Sequence, residues 1–588
     1  MLITSEDQAQ ELAQQIAGST FVVIDTETHK TEQYYNKELL GVAIGIPKGL
    51  ELETYYTTPG IFRFLHGPLS KTEWIGHNLK FDLEILRENG LDFKGPIWDT
   101  QIMVHLCDEN FLDYSLDKLG LHLFNDRKMD MKPFEKGFQG WEKIPPVIMG
   151  NYAEQDLRIT WKLFQKYLGQ LRDQGLIELW PVVMDYVRSL QLMIRSGIRI
   201  DRPLLSDLSR EAGIRLSELE SQLAAVGILK PGSQKQVRKY LYHDLGLKAR
   251  TFTNPPKRKD GTQAQPQPSV DSAAINAYIE DNLELADKLE PILEYRRLSK
   301  ALSTWYNGFA TKMGDRDYLH PGLKQHGTKT GRLSCAEPNL QQIPRDSARV
   351  KRAFIGTEHE ALVEFDYSQI ELRIGAYFAR KFGDSTLFDV YSEGGDVHAL
   401  TGEMIGAIKH LGFKEGRQVG KTGNFLWIYQ GGPKRLRTTL WRDAKMRTTL
   451  ESCEIWTEQF HRAYPGFKKA NLAAARVHQK LGYVKMYNGR RRRIRTRNDR
   501  NQVKHYTAFN AVVQGSAGQV LMEAINELAS QQESGAPWRL CCTVHDSVML
   551  YVPRDRLEEV KPTICKIMAS PAERQFELPF DVDMKEMG

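Results

Sequence analysis

A chain of 588 residues is too long for one hydrophobic core and is expected to fold as several domains. Its composition, 41% hydrophobic and 26% charged, is typical of soluble globular proteins, and no run approaches the roughly 20 apolar residues of a membrane span. Residues 1–170 contain 17 Lys+Arg against 25 Asp+Glu, whereas residues 171–588 contain 63 against 49. The basic remainder would suit a polyanion such as nucleic acid, with uneven solubilising charge as the alternative.

The amino terminus and the cysteines bear on the cellular compartment. The opening stretch, MLITSEDQAQELAQQIAG, is acidic and helical in pattern, with Ser5 as its predicted N-cap. It lacks the basic start and apolar middle of a signal peptide and the Arg-rich character of a transit peptide. The six cysteines show no metal-ligand spacing, which predicts free thiols in a reducing compartment.

The first segment alternates strand-like runs, such as STFVVIDTET and LLGVAIGI, with helical runs, which predicts an α/β domain. Asp25 and Glu27, at i and i+2 on a predicted strand, would face the same side of it. Asp82 follows in a helical run, and Tyr152 and Asp156, at i and i+4, share one helix face. Four carboxylates and a phenol suggest two metal ions and a positioned water, although single acids are usually only solvated.

Beyond about residue 170 the pattern is predominantly helical as far as Thr311. The stretch 252–269, rich in Pro, Gln, Lys and Arg, predicts a loop between two long helices. The helical run that follows contains Pro291, where we expect a break. Residues 318–375 are predicted to be strand-rich, and helices return to about residue 480. A basic run at Gly489–Arg495 then precedes C-terminal strands.

The run LVEFDYSQIELR places Asp366 directly after alternating apolar residues that predict a half-buried strand. A carboxylate buried there would need a partner or a metal. CCTVHDSVMLYV predicts two strands joined by a tight turn that presents Asp546. If this hairpin lies beside the first strand, the two carboxylates converge, and two divalent ions, preferably Mg²⁺, would relieve their repulsion. The alternative is that two aspartates so far apart in the sequence share no function.

A third stretch, GRQVGKTGNFLWIYQGG, carries Arg417, Lys421, Phe425 and Tyr429 at intervals of four residues. On one helix these positions share a broad face. Two cations followed by two aromatic residues make a poor core stripe but would suit a nucleoside triphosphate, with cations on the phosphates and a ring under the base. A surface helix with an apolar end is the alternative.

Three of these stretches, DYSQIELR, RQVGKTGNFLWIY and VHDS, resemble the polymerase motifs of family A DNA polymerases, the family of bacterial DNA polymerase I and many phage replicative enzymes. TKTGRLSCAEPNLQQIPR, GGDVHALTG and NAVVQGSAG resemble further signatures of that family, in the family's order, from about residue 185 to the end. The resemblance implies that Asp366 and Asp546 hold two Mg²⁺ ions, for which Mn²⁺ can substitute, and that Lys421 also takes part in catalysis.

The same resemblance implies a nucleotide site and a DNA-binding surface. Glu371 would be a steric gate that crowds a ribose 2′-hydroxyl and so favours dNTPs. The triphosphate would be gripped by Arg417, Lys421 and His398, with Phe425 stacking at the incoming nucleotide and Tyr429 shaping the base-pair pocket. The DNA contacts implied are Arg332, Asn339, Gln341, Asn510, Gln514 and His545. Donors in the minor groove can check the shape of a base pair without reading its sequence, because its acceptors are common to all correct pairs.

Three departures from the family pattern, and one residue that varies within the family, bear on these expectations. Ser547 stands where many relatives have Glu, and we expect catalysis to survive because the two aspartates are the essential ligands. Leu426 and Trp427 are bulkier than the usual Gly-Leu and could alter closure of the helix, and Tyr506 replaces an Arg that contacts the primer. Phe425, in place of the Tyr of some relatives, predicts poor use of nucleotides that lack a 3′-hydroxyl.

The acids of the first segment, taken together and in order, resemble the DEDDy family of 3′–5′ exonucleases, the proofreading domain that precedes family A polymerases. The resemblance covers roughly residues 1–170. Because the full set of acids is present, we expect an active proofreader. The implied roles are Asp25, Glu27 and Asp156 on one metal, Asp82 on the second, Tyr152 orienting the attacking water as a catalytic residue, and Asn78 positioning the strand.

We therefore expect a multidomain α/β and α+β protein, with an RNase H-like exonuclease domain followed by a right-hand polymerase. The expected boundaries are 1–170 for the exonuclease, 171–310 for a helical thumb, 311–375 for the first part of the palm, 376–490 for the fingers and 491–588 for the second part of the palm. The basic runs at Gly489–Arg495 and Lys257–Lys259 are predicted to contact duplex phosphates, with solvated charged faces as the alternative.

The predicted function is DNA-templated DNA synthesis from a primer with 3′–5′ proofreading. The predicted partners are primer-template DNA and dNTPs, with a processivity factor or replisome proteins as further candidates. A monomer without membrane attachment is expected in the cytoplasm of a bacterium or phage-infected host, near the nucleoid. Because the chain starts at the exonuclease, we expect no attached 5′-nuclease, which favours a phage-type replicative enzyme.

Two alternatives stay open at this stage. One is a 3′–5′ exonuclease whose C-terminal region only binds DNA. The other is a single-subunit RNA polymerase, which shares the palm. Glu371 argues against the second alternative, as does the attached exonuclease.

Overall fold

The computed structural model describes residues 1–29, 37–254, 263–343, 348–495 and 507–588. Within these ranges, no helix combines the length and the apolar character that crossing a membrane requires. All six cysteines are free thiols, as their spacing predicts.

The first segment folds into a six-stranded mixed sheet covered by helices, in agreement with its alternating pattern. Its strands, in the spatial order β1-β4-β3-β2-β5-β6, are β1 (Leu2–Ile3), β2 (Phe21–Thr28), β3 (Leu39–Lys48), β4 (Glu51–Thr57), β5 (Glu73–Gly76) and β6 (Ile97–Asp99). Its helices are α1 (Glu6–Ala17), α2 (Pro59–Phe62), α3 (His66–Leu69), α4 (Leu79–Glu88), α5 (Thr100–Cys107), α6 (Leu116–Phe124), α7 (Lys132–Phe138) and α8 (Pro146–Asp173).

Strand β2 lies inside this sheet, antiparallel to β3 and parallel to β5. The apolar run Val22–Ile24 is buried on both faces of the strand, as expected for an interior strand covered by helices. Helix α8 packs across β2, β3 and β4. This packing brings Asp156 on α8 to the acidic end of β2.

A helical region follows the first domain. Its elements are α9 (Trp180–Ser196), β7 (Ile198–Arg199), α10 (Arg202–Ala225), α11 (Gln234–Lys239), α12 (Ser272–Asp281), α13 (Ala286–Ala301) and α14 (Asn307–Met313). The predicted break at Pro291 is wrong, because Pro291 lies inside α13. The break comes instead at Asn282, whose side chain accepts a hydrogen bond from the Glu284 N–H and competes with continued helix.

The region 318–375, predicted to be rich in strands, contains only one long strand among its described elements. Its elements are β8 (Tyr318–Leu319), β9 (Leu323–Lys324), β10 (Ser334–Cys335), α15 (Ala348–Lys351) and β11 (Glu360–Tyr367). The expectation of a strand-rich stretch is therefore met mainly by β11. The three strands before β11 are only two residues long each.

Helices then dominate to residue 481, as predicted. They are α16 (Ile370–Lys381), α17 (Thr386–Ser392), α18 (Val397–Met404), α19 (Ala407–Leu411), α20 (Phe413–Trp427), α21 (Pro433–Ala444), α22 (Leu450–Ala463) and α23 (Pro465–Leu481). The C-terminal elements are β12 (Val484–Lys485), β13 (Arg491–Arg492), α24 (Ala508–Glu533), β14 (Arg539–Val544), β15 (Ser547–Pro553), α25 (Leu557–Phe576) and β16 (Val582–Glu586).

A four-stranded antiparallel sheet joins distant parts of the chain in the order β14-β15-β11-β16. Strand β11 from mid-chain thus lies between two C-terminal strands. Its apolar residues Leu362, Val363 and Phe365 are completely buried. This sheet gives the two predicted palm segments a common core.

The expected domain boundaries can be placed on these elements. The boundary at 170 falls within α8, three residues before its end at Asp173. The boundaries at 310 and 375 fall within α14 and α16, and the one at 490 directly precedes β13. The division into exonuclease, thumb, palm and fingers at those residues stays a prediction.

Candidate active sites

The first candidate site lies at one end of the four-stranded sheet, where β11 and β15 pair antiparallel. The register places Asp366 opposite Ser547, the residue after Asp546. The Tyr367 N–H also donates to the Asp546 carbonyl at 3.4 Å. The backbone therefore brings Asp366 and Asp546 together. Asp366 is exposed at the strand end, which explains how a strand otherwise buried can carry a carboxylate there.

The turn that presents Asp546 has an unusual backbone. It is a two-residue connection between Val544 and Ser547, and His545 adopts a left-handed φ of 56°. Such a conformation is strained for a non-glycine residue and is frequent at functional sites. Ser547 is buried, and its hydroxyl donates to Glu364 Oε1 at 2.8 Å. Ser547 thus packs within the sheet, while His545 stays exposed.

Arg332 connects several of the predicted residues around this site. Its guanidinium donates to Asp546 Oδ1 at 3.0 Å, to a Glu371 carboxylate oxygen and to the Gln514 carbonyl at 3.3 Å. The other carboxylate oxygen of Glu371 accepts from the Tyr429 hydroxyl. Burial, with the Glu371 charge adding to it, raises the pKa of Tyr429 well above its usual value, so the hydroxyl stays protonated and donates.

The cationic and aromatic residues predicted to share a helix face lie on and just beyond α20. Arg417, Lys421 and Phe425 are on the helix, and Phe425 is 38% exposed. The prediction that one helix carries all four residues is wrong for Tyr429. Helix α20 ends at Trp427, and Gln430 takes a left-handed φ of 61° before a Gly-Gly pair. Tyr429 nonetheless reaches Glu371 by its hydroxyl.

Arg417 and the bulky Trp427 have definite partners. Arg417 Nε donates to Asp396 Oδ2 at 2.6 Å, so this cation is already paired. Trp427 is completely buried, and its Nε1 donates to Thr457 Oγ1 at 3.0 Å. Its ring lies so close to Gly423 that a Cβ there would be 2.0 Å from it. The bulk after Phe425 is therefore accommodated in the helical core.

His398, which is predicted to bind the triphosphate, is buried and uncharged. It is only 3% exposed, and burial, assisted by the charge of Arg417, lowers its pKa to about 4. Its Nδ1 lies 3.1 Å from Asn424 Nδ2, which can only donate. His398 is therefore a neutral ring at pH 7 with its proton on Nε2, and the cations of this site are Arg417 and Lys421.

Of the remaining predicted DNA contacts, Asn339 and Gln341 are held by local hydrogen bonds. Asn339 uses its side-chain oxygen to accept from the Gln341 N–H at 3.1 Å, and Gln341 Nε2 donates to the Thr543 carbonyl on β14. Asn510 and Gln514 are one turn apart on α24, both half-buried. The Oδ1 of Asn510 is buried and accepts no hydrogen bond within the described residues.

The second candidate site lies on the N-terminal sheet. Asp25, Glu27 and Asp156 each present a carboxylate oxygen, and these oxygens lie within 4.8 Å of one another. Tyr152 lies one turn before Asp156 on α8, as the spacing predicts. Asp156 Oδ1 is buried and receives no hydrogen bond among the described residues.

Asp82 and Asn78 border this cluster. Asp82 Oδ1 accepts from the Thr26 N–H at 3.0 Å and from the Thr26 hydroxyl at 2.6 Å. Asp82 is therefore fixed to β2 between Asp25 and Glu27 but is not one of the three converging carboxylates. Asn78 precedes α4 with a left-handed φ of 65°, and its N–H donates to Asp99 Oδ1 at 3.1 Å.

The electrostatics of the cluster fit a divalent cation. Burial, then the charges of Asp82, Glu27 and Asp156, raise the pKa of Asp25 well above its usual value. Burial also raises the pKa of Asp82 to about 7 and that of Asp156 to about 6. Carboxylates crowded in this way hold protons unless a cation neutralises them. Hard oxygen donors at this spacing, with Asp156 Oδ1 lacking a partner, suit an ion such as Mg²⁺.

Two residues of this site were not foreseen from the sequence. Lys128 forms an ion pair with Asp156 Oδ2 and lies 4.7 Å from the centroid of the Tyr152 ring. Asp99 caps the start of α5 and fixes Asn78. Neither belongs to a motif, and only the fold brings them to the cluster.

Most of the basic run Gly489–Arg495 faces the protein rather than solvent, and Arg490 and Arg492 are buried. Glu109 of the N-terminal domain is 3% exposed and binds Arg492 Nη1 at 2.8 Å and Arg493 Nη1 at 2.7 Å. Arg492 and Arg493 are therefore ion-paired in the contact between the N-terminal domain and the C-terminal part of the chain. The sequence could not show that an acidic residue of another domain faces these arginines, and a phosphate contact from this run stays a prediction for Arg495, which is 61% exposed.

The same contact reaches the first site. Arg490 is buried and lies 3.1 Å from His105 Nδ1, and the other ring nitrogen of His105 is 2.9 Å from the Thr328 carbonyl. Thr328 in turn donates its hydroxyl to the Arg332 carbonyl. A chain of contacts therefore runs from α5 to the arginine that binds Asp546.

Three positions in the predictions lie outside the described residues. They are the basic run Lys257–Lys259, Tyr506, and Arg345 at the end of the TKTGRLSCAEPNLQQIPR stretch.

Comparison with known families matches both parts of the chain. A model of DNA polymerase family A matches residues 202–587. A model of a 3′–5′ exonuclease matches residues 1–172.

Curated relatives match nearly the whole chain. DNA polymerase I of Borreliella burgdorferi is 26% identical over 601 residues, which cover 97% of this chain and 62% of that protein. The DNA polymerase of Bacillus phage SP01 is 26% identical over 683 residues, covering 96% of this chain and 70% of that one. A thermostable DNA polymerase I of Thermus filiformis is 31% identical over 445 residues, covering 74% and 50%. The chain spans about half to three-fifths of the length of the first bacterial relatives.

A solved structure shares the fold. It is the POL domain of Pol1 from M. smegmatis in complex with a DNA primer-template and dNTP. The TM-score is 0.79 at 21% sequence identity, and the match covers 100% of this chain and 98% of the other.

Proposed function

This chain belongs to DNA polymerase family A, and from that premise we propose that it extends a primer 3′-hydroxyl with dNTPs on a DNA template and proofreads with a 3′–5′ exonuclease. The observation that carries the polymerase assignment is the pairing of β11 with β15, which sets Asp366 beside the turn that holds Asp546. The exonuclease assignment is supported by the converging carboxylates of Asp25, Glu27 and Asp156.

Each site would hold two Mg²⁺ ions, with Mn²⁺ as a substitute. Asp366 and Asp546 are the proposed ligands of the polymerase site. The proposed ligands of the exonuclease site are Asp25, Glu27 and Asp156 for one ion and Asp82 for the other. When bound, two such ions activate the attacking hydroxyl or water and neutralise charge on the leaving oxygen.

At the polymerase site, the chain's own residues position the nucleotide. Lys421 and Arg417 neutralise the triphosphate, and Arg417 exchanges Asp396 for phosphate oxygens as the nucleotide binds. Neutral His398 donates a hydrogen bond from Nε2 to the triphosphate. The exposed ring of Phe425 stacks on the incoming base.

Sugar selection is assigned to Glu371. Its side chain is only 13% exposed, and hydrogen bonds from Arg332 and Tyr429 hold both of its oxygens. A carboxylate fixed in this way can exclude a 2′-hydroxyl by its position. Tyr429 then contributes to the shape of the base-pair pocket.

The primer-template is proposed to lie against residues that donate into the minor groove and onto the backbone. These residues are Arg332, Asn339, Gln341, Asn510, Gln514 and His545. Arg332 has to release Asp546, which it binds at 3.0 Å, to reach a base. Binding of primer-template would thereby free a carboxylate oxygen of the catalytic aspartate.

At the exonuclease site, Tyr152 orients the attacking water. Burial, followed by the charge of Asp156, raises the pKa of Tyr152 to about 12, so its phenol stays protonated at neutral pH and can donate. Asn78 positions the 3′-terminal strand. Its own backbone is held by Asp99, which keeps the residue in its left-handed conformation.

The proposed partners are primer-template DNA and dNTPs, which the Pol1 structure named above also contains. We expect the enzyme to act as a monomer in the cytoplasm of a bacterium or phage-infected host, close to the nucleoid. A processivity factor or replisome protein would be an additional partner.

Extension of a labelled primer tests the polymerase assignment. With Mg²⁺ and dNTPs, the full chain is expected to extend the primer along a DNA template, and with rNTPs it should extend it poorly. Failure to extend with dNTPs would leave an exonuclease with a DNA-binding C-terminal region. Efficient extension with rNTPs would favour an RNA polymerase.

Degradation of a single-stranded oligonucleotide tests the proofreading assignment. Asp25→Ala combined with Glu27→Ala should abolish the degradation and spare extension, because the two sites share no residue. Glu51→Ala, an exposed acid on β4, is the matched control and should change neither activity. Degradation that persists in the double variant would refute the site.

A further inference from the structure

The acidic cluster of the N-terminal sheet contains a built-in cation. Lys128 lies in the loop between α6 and α7, and its side chain is 18% exposed. Its Nζ forms an ion pair with Asp156 Oδ2 and stands over the Tyr152 ring at 4.7 Å. The ammonium is therefore next to a proposed metal ligand and next to the phenol proposed to orient water.

The two oxygens of Asp156 are used differently. Oδ2 is taken by Lys128, whereas Oδ1 is buried and accepts no hydrogen bond within the described residues. An oxygen of Asp156 lies within 4.8 Å of oxygens of Asp25 and Glu27. The Asp156 carboxylate thus pairs with the Lys128 ammonium through one oxygen and also borders the place where a divalent ion would bind.

The charge balance explains why a lysine is tolerated there. The ammonium is compensated by the Asp156 carboxylate that it pairs with and by the face of the Tyr152 ring beneath it, so a lysine at this largely buried position can keep its positive charge. The lysine charge also lies beside the converging carboxylates, because an oxygen of Asp156 is within 4.8 Å of oxygens of Asp25 and Glu27. Lys128 therefore neutralises part of the cluster and stays cationic while doing so.

We propose that Lys128 is the internal counter-ion of the exonuclease site and that it weakens the binding of divalent cations by sharing Asp156 with them. The inference rests on the proposed exonuclease function and adds a residue outside its ligand set. A fixed positive charge beside a partly desolvated metal site lowers the attraction of the carboxylates for a second cation. Lys128 acts through Asp156 and is a positioning residue of the site.

The test is the Mn²⁺ affinity of the full chain, measured by calorimetry or by the electron paramagnetic resonance of free Mn²⁺. Asp366→Ala and Asp546→Ala are present in every variant, so that the polymerase site does not contribute. Lys128→Met should bind Mn²⁺ at least about fivefold more tightly than this parent, because one opposing charge is removed. Lys128→Arg keeps the charge and should stay within about twofold of the parent.

A matched control variant and a stability measurement distinguish the effect of the lost Lys128 charge from general damage to the fold. Lys71→Met removes an exposed lysine of the same domain and should leave the Mn²⁺ affinity within about twofold, because solvent screens its charge. Without metal, Lys128→Met should also lower the unfolding midpoint, since the carboxylates lose their counter-ion. Added Mn²⁺ should recover more stability in this variant than in the parent.

Three outcomes decide the matter. Tighter Mn²⁺ binding by Lys128→Met, together with parental affinity in Lys128→Arg, supports the inference. Equal or weaker binding by Lys128→Met, while Asp25→Ala still removes Mn²⁺ binding from the parent, overturns the counter-ion role and leaves the exonuclease assignment intact. Absence of any Asp25-dependent Mn²⁺ binding overturns the metal site and the role of Lys128 together.

Discussion

Arg332 holds together the residues on which nucleotide addition would depend. It binds Asp546 and Glu371 by the same guanidinium nitrogen, and Glu371 binds Tyr429 by its second oxygen. Hydrogen bonds to charged groups in partly desolvated places are stronger than surface ones, so the arrangement is expected to be rigid before substrate arrives. Glu371, the proposed sugar gate, and Asp546, a proposed metal ligand, are therefore fixed relative to each other.

Removing the Glu371 carboxylate should relax sugar selection. In Glu371→Ala the space against the 2′-hydroxyl opens, and the ratio of kcat/KM for dNTP over rNTP is expected to fall at least about tenfold, or about 1.4 kcal/mol. Single-nucleotide incorporation on a primed template measures this ratio.

Tyr429→Phe serves as the control for that change. It keeps the aromatic ring and Glu371, losing only one hydrogen bond to the gate, so the ratio should fall less than in Glu371→Ala. If Glu371→Ala kept the parental ratio, Glu371 would not be the gate.

At this scale, the placement of residues close in the sequence could be predicted, because their spacing on one strand or one helix is short-range information, whereas the roles of the motif residues stay predictions from the family resemblance. Asp25 and Glu27, for example, lie two residues apart on one strand. Lys128 could not be found, because it reaches Asp156 from a loop 28 residues away that has no periodic pattern. The neutrality of His398 was hidden for a similar reason, since its burial depends on tertiary packing.

Among the elements, α20 is the one on which the nucleotide site depends most. It carries Arg417, Lys421 and Phe425 on its outer side and packs on α18 through glycines. A Cβ at Gly420 would lie 2.2 Å from the His398 carbonyl oxygen. The glycine therefore permits a backbone approach that no other residue allows.

Gly420→Ala should separate α20 from α18. Because the obstructing atoms belong to the backbone, the free energy of unfolding is expected to fall by about 1–3 kcal/mol. The KM for dNTP should rise, since Arg417 and Lys421 move with the helix. Denaturant unfolding and steady-state incorporation measure the two effects.

Gly213→Ala in α10 provides the matched control for that substitution. A Cβ there meets no heavy atom within 4 Å, so the change should be neutral or stabilise by about 0.5–1 kcal/mol. Equal stability of both alanine variants would show that the α18–α20 approach is not tight.

Helices and strands could be predicted where the hydrophobic pattern is strong. The ends of helices could not be predicted where a single residue determines them. Strands β14 and β15 and their turn follow from the apolar runs on both sides of His545 and Asp546. Proline, by contrast, was a poor guide to the end of a helix, because Pro291 lies in the second turn of α13 and Asn282 terminates α12. The end of α20 before Tyr429 depends on the left-handed Gln430, which periodicity does not reveal.

Over the whole molecule, the N-terminal domain and the polymerase region are joined by buried polar contacts. Glu109 binds Arg492 and Arg493, and His105 lies between Arg490 and the Thr328 carbonyl. Family membership was correctly predicted from the motifs. This contact could not be, because it pairs residues more than 200 positions apart.

Replacing Glu109 should weaken the molecule at this contact. Glu109→Gln leaves two arginines, 10% and 14% exposed, without their carboxylate, and the free energy of unfolding should fall by about 3–5 kcal/mol. Asp92→Asn removes an exposed pair with Lys94 and should cost at most about 1 kcal/mol. Similar effects of the two changes in urea unfolding would contradict a buried ionic contact.

The same contact should respond to pH through His105. Burial, reinforced by the charge of Arg490, lowers the pKa of His105 well below its usual value of 6.5. The folded protein then binds fewer protons than the unfolded chain below pH 6.5, so this stabilisation is complete above pH 6.5 and is lost as the pH falls.

His105→Gln should therefore reduce the loss of unfolding free energy between pH 8 and pH 5 by about 2 kcal/mol. His410→Gln, at an exposed side chain that makes no ion pair among the described residues, should leave that loss unchanged. Urea unfolding at the two pH values measures both variants. An unchanged pH dependence in His105→Gln would show that this ring does not stay neutral in the folded protein.

The most direct measurement is single-turnover extension of a primed template by Asp366→Ala and by Asp546→Ala, with binding of the same DNA measured in parallel. If the end of the β11–β15 pair is where nucleotides are joined, each substitution lowers the extension rate by about 10³-fold or more, while DNA affinity stays within about threefold. An extension rate within tenfold of the parent in either variant would contradict that location.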